Sequence, residues 1–329
     1  MKTRFRWLMP IAALCVISTV TACTASGRTL EGSFERSLSV TGPVILDVKT
    51  GSGNIDIRTG SASTVHILGH IRVNTSHLSE DEAEQRVHAL ESNPPIEQDG
   101  NTIRVGHIQD ASLRRNVSIS YEIVVPVQTQ VTAGTGSGDS TITGVQGPVR
   151  TESGSGSLKI TGVGDTLRAN TGSGDIQIET VRGAVYAQAG SGNIVAMDVG
   201  GGFVASPGSG SVKLRQAASG SVNVETGSGD VEVSGVQGSL VLHTGSGSIS
   251  ADGQPSGDWK LETGSGNVML HLPSTAAFDL YAHTGSGSVE SDHPITVQGK
   301  INRHELRGKV RGGGVRLEAS TGSGDIRIQ

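Results

Sequence analysis

Cysteine is nearly absent: Cys15 and Cys23 are the two in 329 residues. Both lie close to the N-terminus, so no disulfide framework holds the remainder together. Aromatic residues make up 3%, too few to fill a wide core with rings. Long apolar runs are missing as well. The run Leu8 to Val20 falls short of the ~20 residues that a membrane-spanning helix needs. No basic excess exists: 26 Lys and Arg stand against 31 Asp and Glu, a formal net charge of −5. A mildly acidic chain with three Tyr and two Trp is a poor match to nucleic acid. Phosphate loops are lacking, since no Gly-Lys-Ser/Thr follows a Gly run and no Gly-x-Gly-x-x-Gly opens a helix.

Glycine, in contrast, is abundant at 48 residues, about twice the usual ~7% share. Much of it recurs in one tripeptide. Gly-Ser-Gly occurs eleven times, starting at Gly51, Gly136, Gly154, Gly172, Gly190, Gly208, Gly227, Gly245, Gly264, Gly285 and Gly322. From Gly136 the steps are 18, 18, 18, 18, 19, 18, 19, 21 and 37. A fixed period of this kind marks a repeat architecture. Apolar residues fall five and three positions before the first Gly (Leu167 and Ala169 in one copy). They fall again four and six after it (Ile176 and Ile178). Side chains two apart share one face of a strand. Each repeat therefore predicts two short strands flanking Gly-Ser-Gly, with Val145, Val163, Val181, Val199 and Val236 at the opposite corner.

Two strands and two corners in ~18 residues make one coil of a β-solenoid. The fold class is all-β: a single-stranded β-solenoid, or β-helix, plus one short helix in the N-terminal part. Each coil is expected to pair with the next at ~4.8 Å, burying faces that no coil buries alone. The Gly pair fits a corner that needs positive φ or close approach. The residue after it is Asp, Asn or Ser, as in Asp175, Asn193 and Ser211. Such side chains bond a nearby backbone N–H at a turn. The Thr column (Thr135, Thr171, Thr226, Thr244, Thr263, Thr284, Thr321) reads either as a hydrogen-bonded ladder or as a hydroxyl face for a glycan.

In chain order, residues 1–22 read as a signal peptide. Lys2, Arg4 and Arg6 precede the apolar run, and Val20-Thr21-Ala22-Cys23 resembles the lipobox of bacterial lipoproteins. Cys23 is the expected lipidation site. Residues 23–33 form a linker after it. Residues 34–135 form an N-terminal β region with a helix over about 79–91. Ser79-Glu-Asp-Glu82 is its capping box, and Asn93-Pro94-Pro95 ends it. The helix is expected to cover an end or flank of the sheet. Residues 136–329 carry the solenoid repeats, continuous with 34–135. Arg303, Arg307, Lys309, Arg311 and Arg316 make the most basic stretch, either a solvated strand pair or a patch for anionic envelope polymers or lipid headgroups.

These features together resemble the bacterial DUF4097 family, whose members carry the label adhesin. The resemblance rests on the repeated Thr-Gly-Ser-Gly-Asp/Asn/Ser-Ile/Val. It rests also on Phe278-Asp-Leu-Tyr-Ala-His-Thr-Gly-Ser-Gly287, and on Leu306 to Gly314 followed by Thr321 to Ile326. It spans roughly residues 34–329. It implies a β-solenoid exposed on the cell envelope, and it brings no binding residues with it.

The resulting expectation is a non-enzymatic lipoprotein that presents a repetitive surface for a glycan or surface-protein ligand. It would sit in the bacterial cell envelope, at the outer membrane if the cell is Gram-negative; a secreted or periplasmic location is the alternative. A structural or envelope-stress role without ligand is the second reading, and a polysaccharide-processing β-helix the third. No cofactor is implied. The Asp/Asn/Ser column alternates too freely for paired catalytic carboxylates, and it is too poor in carboxylate for calcium. His243 and His283 share a polar column with Glu152, Asn170, Glu225 and Glu262, which lacks a zinc ligand set.

Overall fold

Alternation of apolar and polar residues on both sides of Gly-Ser-Gly sends the chain into two facing sheets, of 14 and 15 strands. The computed structural model describes residues 29–76, 78–110, 112–297 and 302–329. In each copy the strand before Gly-Ser-Gly joins the 15-stranded sheet, and the strand after it joins the 14-stranded one. Adjacent coils pair in parallel with like residues opposite, such as Leu167 with Val185 and Ile176 with Ile194. The inward columns form one continuous core. Ala169, Ala187 and Ala205 keep the sheets close, while Tyr121, Phe203, Trp259 and Phe278 are the bulkiest buried side chains. The Trp259 indole N–H donates to the Gly238 carbonyl at 2.9 Å.

The Gly-Ser-Gly corner is held from inside. Thr171 Oγ1 donates to the Gly156 carbonyl at 2.9 Å and accepts from the Gly174 N–H at 3.2 Å. Thr135 and Ser153 make the same pair of bonds in their coils. Thr226, Thr244, Thr263, Thr284 and Thr321 likewise donate to a glycine carbonyl of the neighbouring coil. These hydroxyls are buried, so they form a ladder of clips and offer no face to a glycan. Thr171→Val keeps the shape and deletes both bonds. It is expected to lower stability by about 1–3 kcal/mol, measured as a shifted urea midpoint.

The Asp/Asn/Ser column also acts between coils rather than within its own turn. Asn193 N–H donates to Asp175 at 2.8 Å, Ser211 N–H to Asn193 at 3.0 Å, and Ser248 N–H to Asp230 at 2.8 Å. All three residue types carry an acceptor oxygen at the right length, which is why they interchange.

The second glycine is required by close approach throughout: a Cβ on Gly192 would lie 1.8 Å from the Gly174 oxygen. Positive φ is added only in the later copies, as at Gly229 (143°) and Gly324 (145°). At the other corner Gly144 and Gly162 take φ of 82° and 73°. Thr180 and Asp198 stand at the matching places with φ of 58° and 57°, a strained setting for a β-branched residue.

Coils do not stack in chain order at either end, contrary to simple succession. Val44–Thr50 pairs with Thr129–Thr135 on one side and Thr102–Val105 on the other. Residues between the first two copies thus pass outside the first coil and close that end. The far end mirrors this. Val315–Ser323 lies between Trp259–Ser265 and Phe278–Ser286, and Ile326–Ile328 lies between Val268–His271 and Val289–Ser291. The last copy in sequence is therefore threaded between the two preceding ones. Glu305–Val310 then pairs antiparallel outside Phe278–Ser286.

The helix is Glu80–Ser92 with Ser79 as its N-cap. Ser79 Oγ accepts from the Glu82 N–H at 3.2 Å, and Glu82 accepts from the Ser79 N–H at 3.1 Å. The Ser79 backbone N–H, and after it the Ser79 hydroxyl, hold the Glu82 carboxyl below its ordinary pKa. Ala83, Val87 and Leu90 are buried against the antiparallel pair Thr29–Ser39 and Thr64–Asn74 at the edge of the 14-stranded sheet. The helix thus covers a flank of that sheet.

Candidate functional site

Strand alternation that puts Val149 and Thr151 inside puts Arg150 and Glu152 outside. Parallel register turns each outward position into a row along the rod. One row on the 15-stranded sheet reads Arg150, Arg168, Tyr186, Val204, Asn223, Val241, Lys260. The row two residues on reads Glu152, Asn170, Gln188, Ser206.

Tyr186, Val204 and Val241 are 36%, 37% and 42% exposed, unusual for apolar side chains on an otherwise polar face. The Arg168 guanidinium carbon sits 4.3 Å from the Tyr186 ring centroid, a cation–π contact that fixes the ring's orientation. Beside this row runs an open groove of about 470 Å³, lined by Glu152, Asn170, Gln188, Ser206, Gly172 and Gly190. Arg150 pairs with Glu152. Among the described residues, the side chains of Asn170, Gln188 and Ser206 have no hydrogen-bond partner, and Arg168 has no carboxylate.

Several other outward charges are paired. Lys260 lies 2.8 Å from Glu262, whose hydrogen bond raises the lysine's pKa. Lys213 meets Glu232 at 2.8 Å, and Arg215 meets Asp198 at 2.7 Å. A second groove, of about 310 Å³, lies on the 14-stranded sheet between Lys159, Thr161, Gln177, Glu179, Val195 and Met197. It contains no aromatic ring.

The basic residues near the end of the chain are not gathered into a free patch. Lys309 stands 3.5 Å from Asp279, and Arg316 3.2 Å from Glu318. Arg311 donates to the Ser274 carbonyl at 2.7 Å, and Arg303 Nε lies 3.0 Å from His304 Nε2. Arg307 lies opposite Tyr281 on the outer strand. Cys23 and residues 1–22, read above as a signal peptide, lie outside the described residues. His243 sits 3.8 Å from Glu262. Among the described residues no group of three or more His, Cys, Asp or Glu is placed to hold a metal.

The row centred on Tyr186 was hidden in the sequence because Tyr186 is one of three tyrosines between two core residues. The available signal was alignment of the outward positions, which places Arg168 directly before it and Val204 directly after it.

Comparison with curated proteins gives no match. Comparison with solved structures finds two matches of low identity. A "putative cell adhesion protein" from Clostridium sporogenes shares 13% identity over 90% of this chain and 99% of that one, with a TM-score of 0.23. A "putative adhesin" from Bacteroides fragilis shares 12% identity over 91% of this chain and 97% of that one, with a TM-score of 0.35. The match to a family model is more specific. The Toastrack DUF4097 model covers residues 164–329, a stretch that includes Arg168, Tyr186 and the threaded last coil, and the chain belongs to that family.

Proposed function

We propose that this protein is a non-enzymatic, lipid-anchored component of the bacterial cell envelope that binds a surface ligand along its solenoid. The observation that carries this reading is the outward row around Tyr186: exposed apolar side chains beside amides and a hydroxyl with no partner of their own. In the same row Arg150 and Lys260 are paired with Glu152 and Glu262, whereas Arg168 has no carboxylate among the described residues. Anchoring rests on the basic start, the short apolar run and the lipobox-like Val20 to Cys23. A thioether-linked lipid on Cys23 would hold the rod at a membrane surface, at the outer membrane in a Gram-negative cell.

Two measurements test the reading. Wild-type protein is expected in the membrane fraction, and Cys23→Ser is expected to move most of it to the soluble fraction. An unchanged distribution would overturn the anchor. Purified, folded protein is then screened against glycans, peptidoglycan, matrix proteins and whole cells. Saturable binding to one class is expected; no binding to any of them would overturn the ligand-binding reading.

A further inference from the structure

We infer that the groove beside Tyr186 binds an extended, uronate-bearing glycan chain, lying along the rod and crossing the strands. This rests on the proposal that the outer face of the 15-stranded sheet is a binding surface.

The argument begins with spacing. Glu152, Asn170, Gln188 and Ser206 occupy one position in four successive coils, and coils repeat at ~4.8 Å. That interval is close to the length of one pyranose unit. A polysaccharide laid along the row would bring successive sugars to successive side chains. The chemistry of the row matches as well. An amide both donates and accepts, and so does a serine hydroxyl, which suits sugar hydroxyls that do the same. The groove is open and shallow, as a polymer requires, rather than closed around a single small molecule.

Tyr186 and Val204 supply the apolar element. The C–H faces of a pyranose ring cover such side chains, and the tyrosine keeps a polar tip for its own hydrogen bond. Arg168 supplies the charge. Its guanidinium stacks on Tyr186 and has no carboxylate partner among the described residues. A uronate would fill that role with a charge-assisted bond. Arg150 is already matched by Glu152, so one free cation faces the ligand. That count fits a carboxylate borne on occasional sugars.

Other polymers fit less well. An extended peptide joins a sheet at its edge through main-chain bonds, whereas this row lies on a face in mid-rod. Nucleic acid needs a run of unpaired cations to offset its phosphates, and the row offers one.

Affinity electrophoresis of the purified protein through gels containing polygalacturonate, alginate or neutral dextran tests the inference. Wild-type protein is expected to be retarded by a uronate polymer and much less by dextran. Tyr186→Ala and Arg168→Gln are each expected to weaken retardation at least about tenfold, which is ~1.4 kcal/mol. Met269→Ala, exposed on the opposite, 14-stranded sheet, is expected to behave as wild type. Thermal unfolding of each variant checks that the fold is kept. Equal retardation by dextran would overturn the uronate assignment. Failure of both uronate polymers to retard wild-type protein would overturn it too, as would unchanged retardation of both groove variants. Binding to matrix protein or cells that Tyr186→Ala leaves intact would overturn this site while leaving the broader binding function standing.

Discussion

Deletion of residues 315–329 is expected to unravel three coils' worth of structure rather than one. In an ordinary solenoid, removing the last coil in sequence shortens the array and leaves its neighbours paired. Here Val315–Ser323 and Ile326–Ile328 are the layer between two other coils. Their loss strips the shared partner from Trp259–Ser265 and from Phe278–Ser286. Leu317, Ile326 and Ile328 are fully buried, and burying an aliphatic side chain of that size contributes ~1.5–3 kcal/mol. Three of them amount to roughly 6 kcal/mol, before any lost ladder bonds. Total stabilities of domains are only ~5–15 kcal/mol. The truncated protein should lose protection from about residue 259 onward, with new protease cleavage between residues 272 and 310. A truncated protein with the full chain's digestion pattern and melting temperature would contradict the threaded order.

Gly192→Ala is the second large effect. The new Cβ would lie 1.8 Å from the Gly174 oxygen and 2.5 Å from its carbonyl carbon. The coil that carries Gly192 is bonded to a neighbour on each side. Gly190 N–H is bonded to the Thr171 carbonyl at 3.0 Å, and Ile194 N–H to the Ser211 carbonyl at 3.0 Å. One methyl must therefore pry apart two coils locked on both sides. The expected loss is about 3 kcal/mol, the upper end of the overpacking range, read at the first transition of a urea melt. Gly51→Ala is the matched control. Nothing lies within 4 Å of its Cβ position, so its effect should stay within ~0.5 kcal/mol. Equal shifts from the two substitutions would show that close approach is not what requires glycine at this corner.

Much of the architecture was legible in the residues themselves. A period near 18 with apolar pairs on each side of Gly-Ser-Gly admits few solutions, because like residues must stack to be buried. The helix was equally readable, since Ser79 and Glu82 satisfy each other's backbone N–H groups through contacts only three residues apart. The Thr column remained ambiguous because a hydroxyl on a strand does not reveal which way it faces. Its burial depends on where the glycine carbonyl of the neighbouring coil lies. The candidate groove was less legible still. Tyr186, Arg168 and Gln188 are unremarkable in composition, and they become a site only when register sets them side by side.

Sequence alone determined that this chain forms a two-sheet solenoid, because period, alternation and glycine spacing are local properties repeated along it. The tertiary structure decided the order of the coils at both ends and the row of unpaired side chains on the outer face. Every coil carries nearly the same inward pattern, so any coil would pair acceptably with any other. Only the lengths of the intervening segments, and the fit of Val315–Ser323 between its two neighbours, select one arrangement.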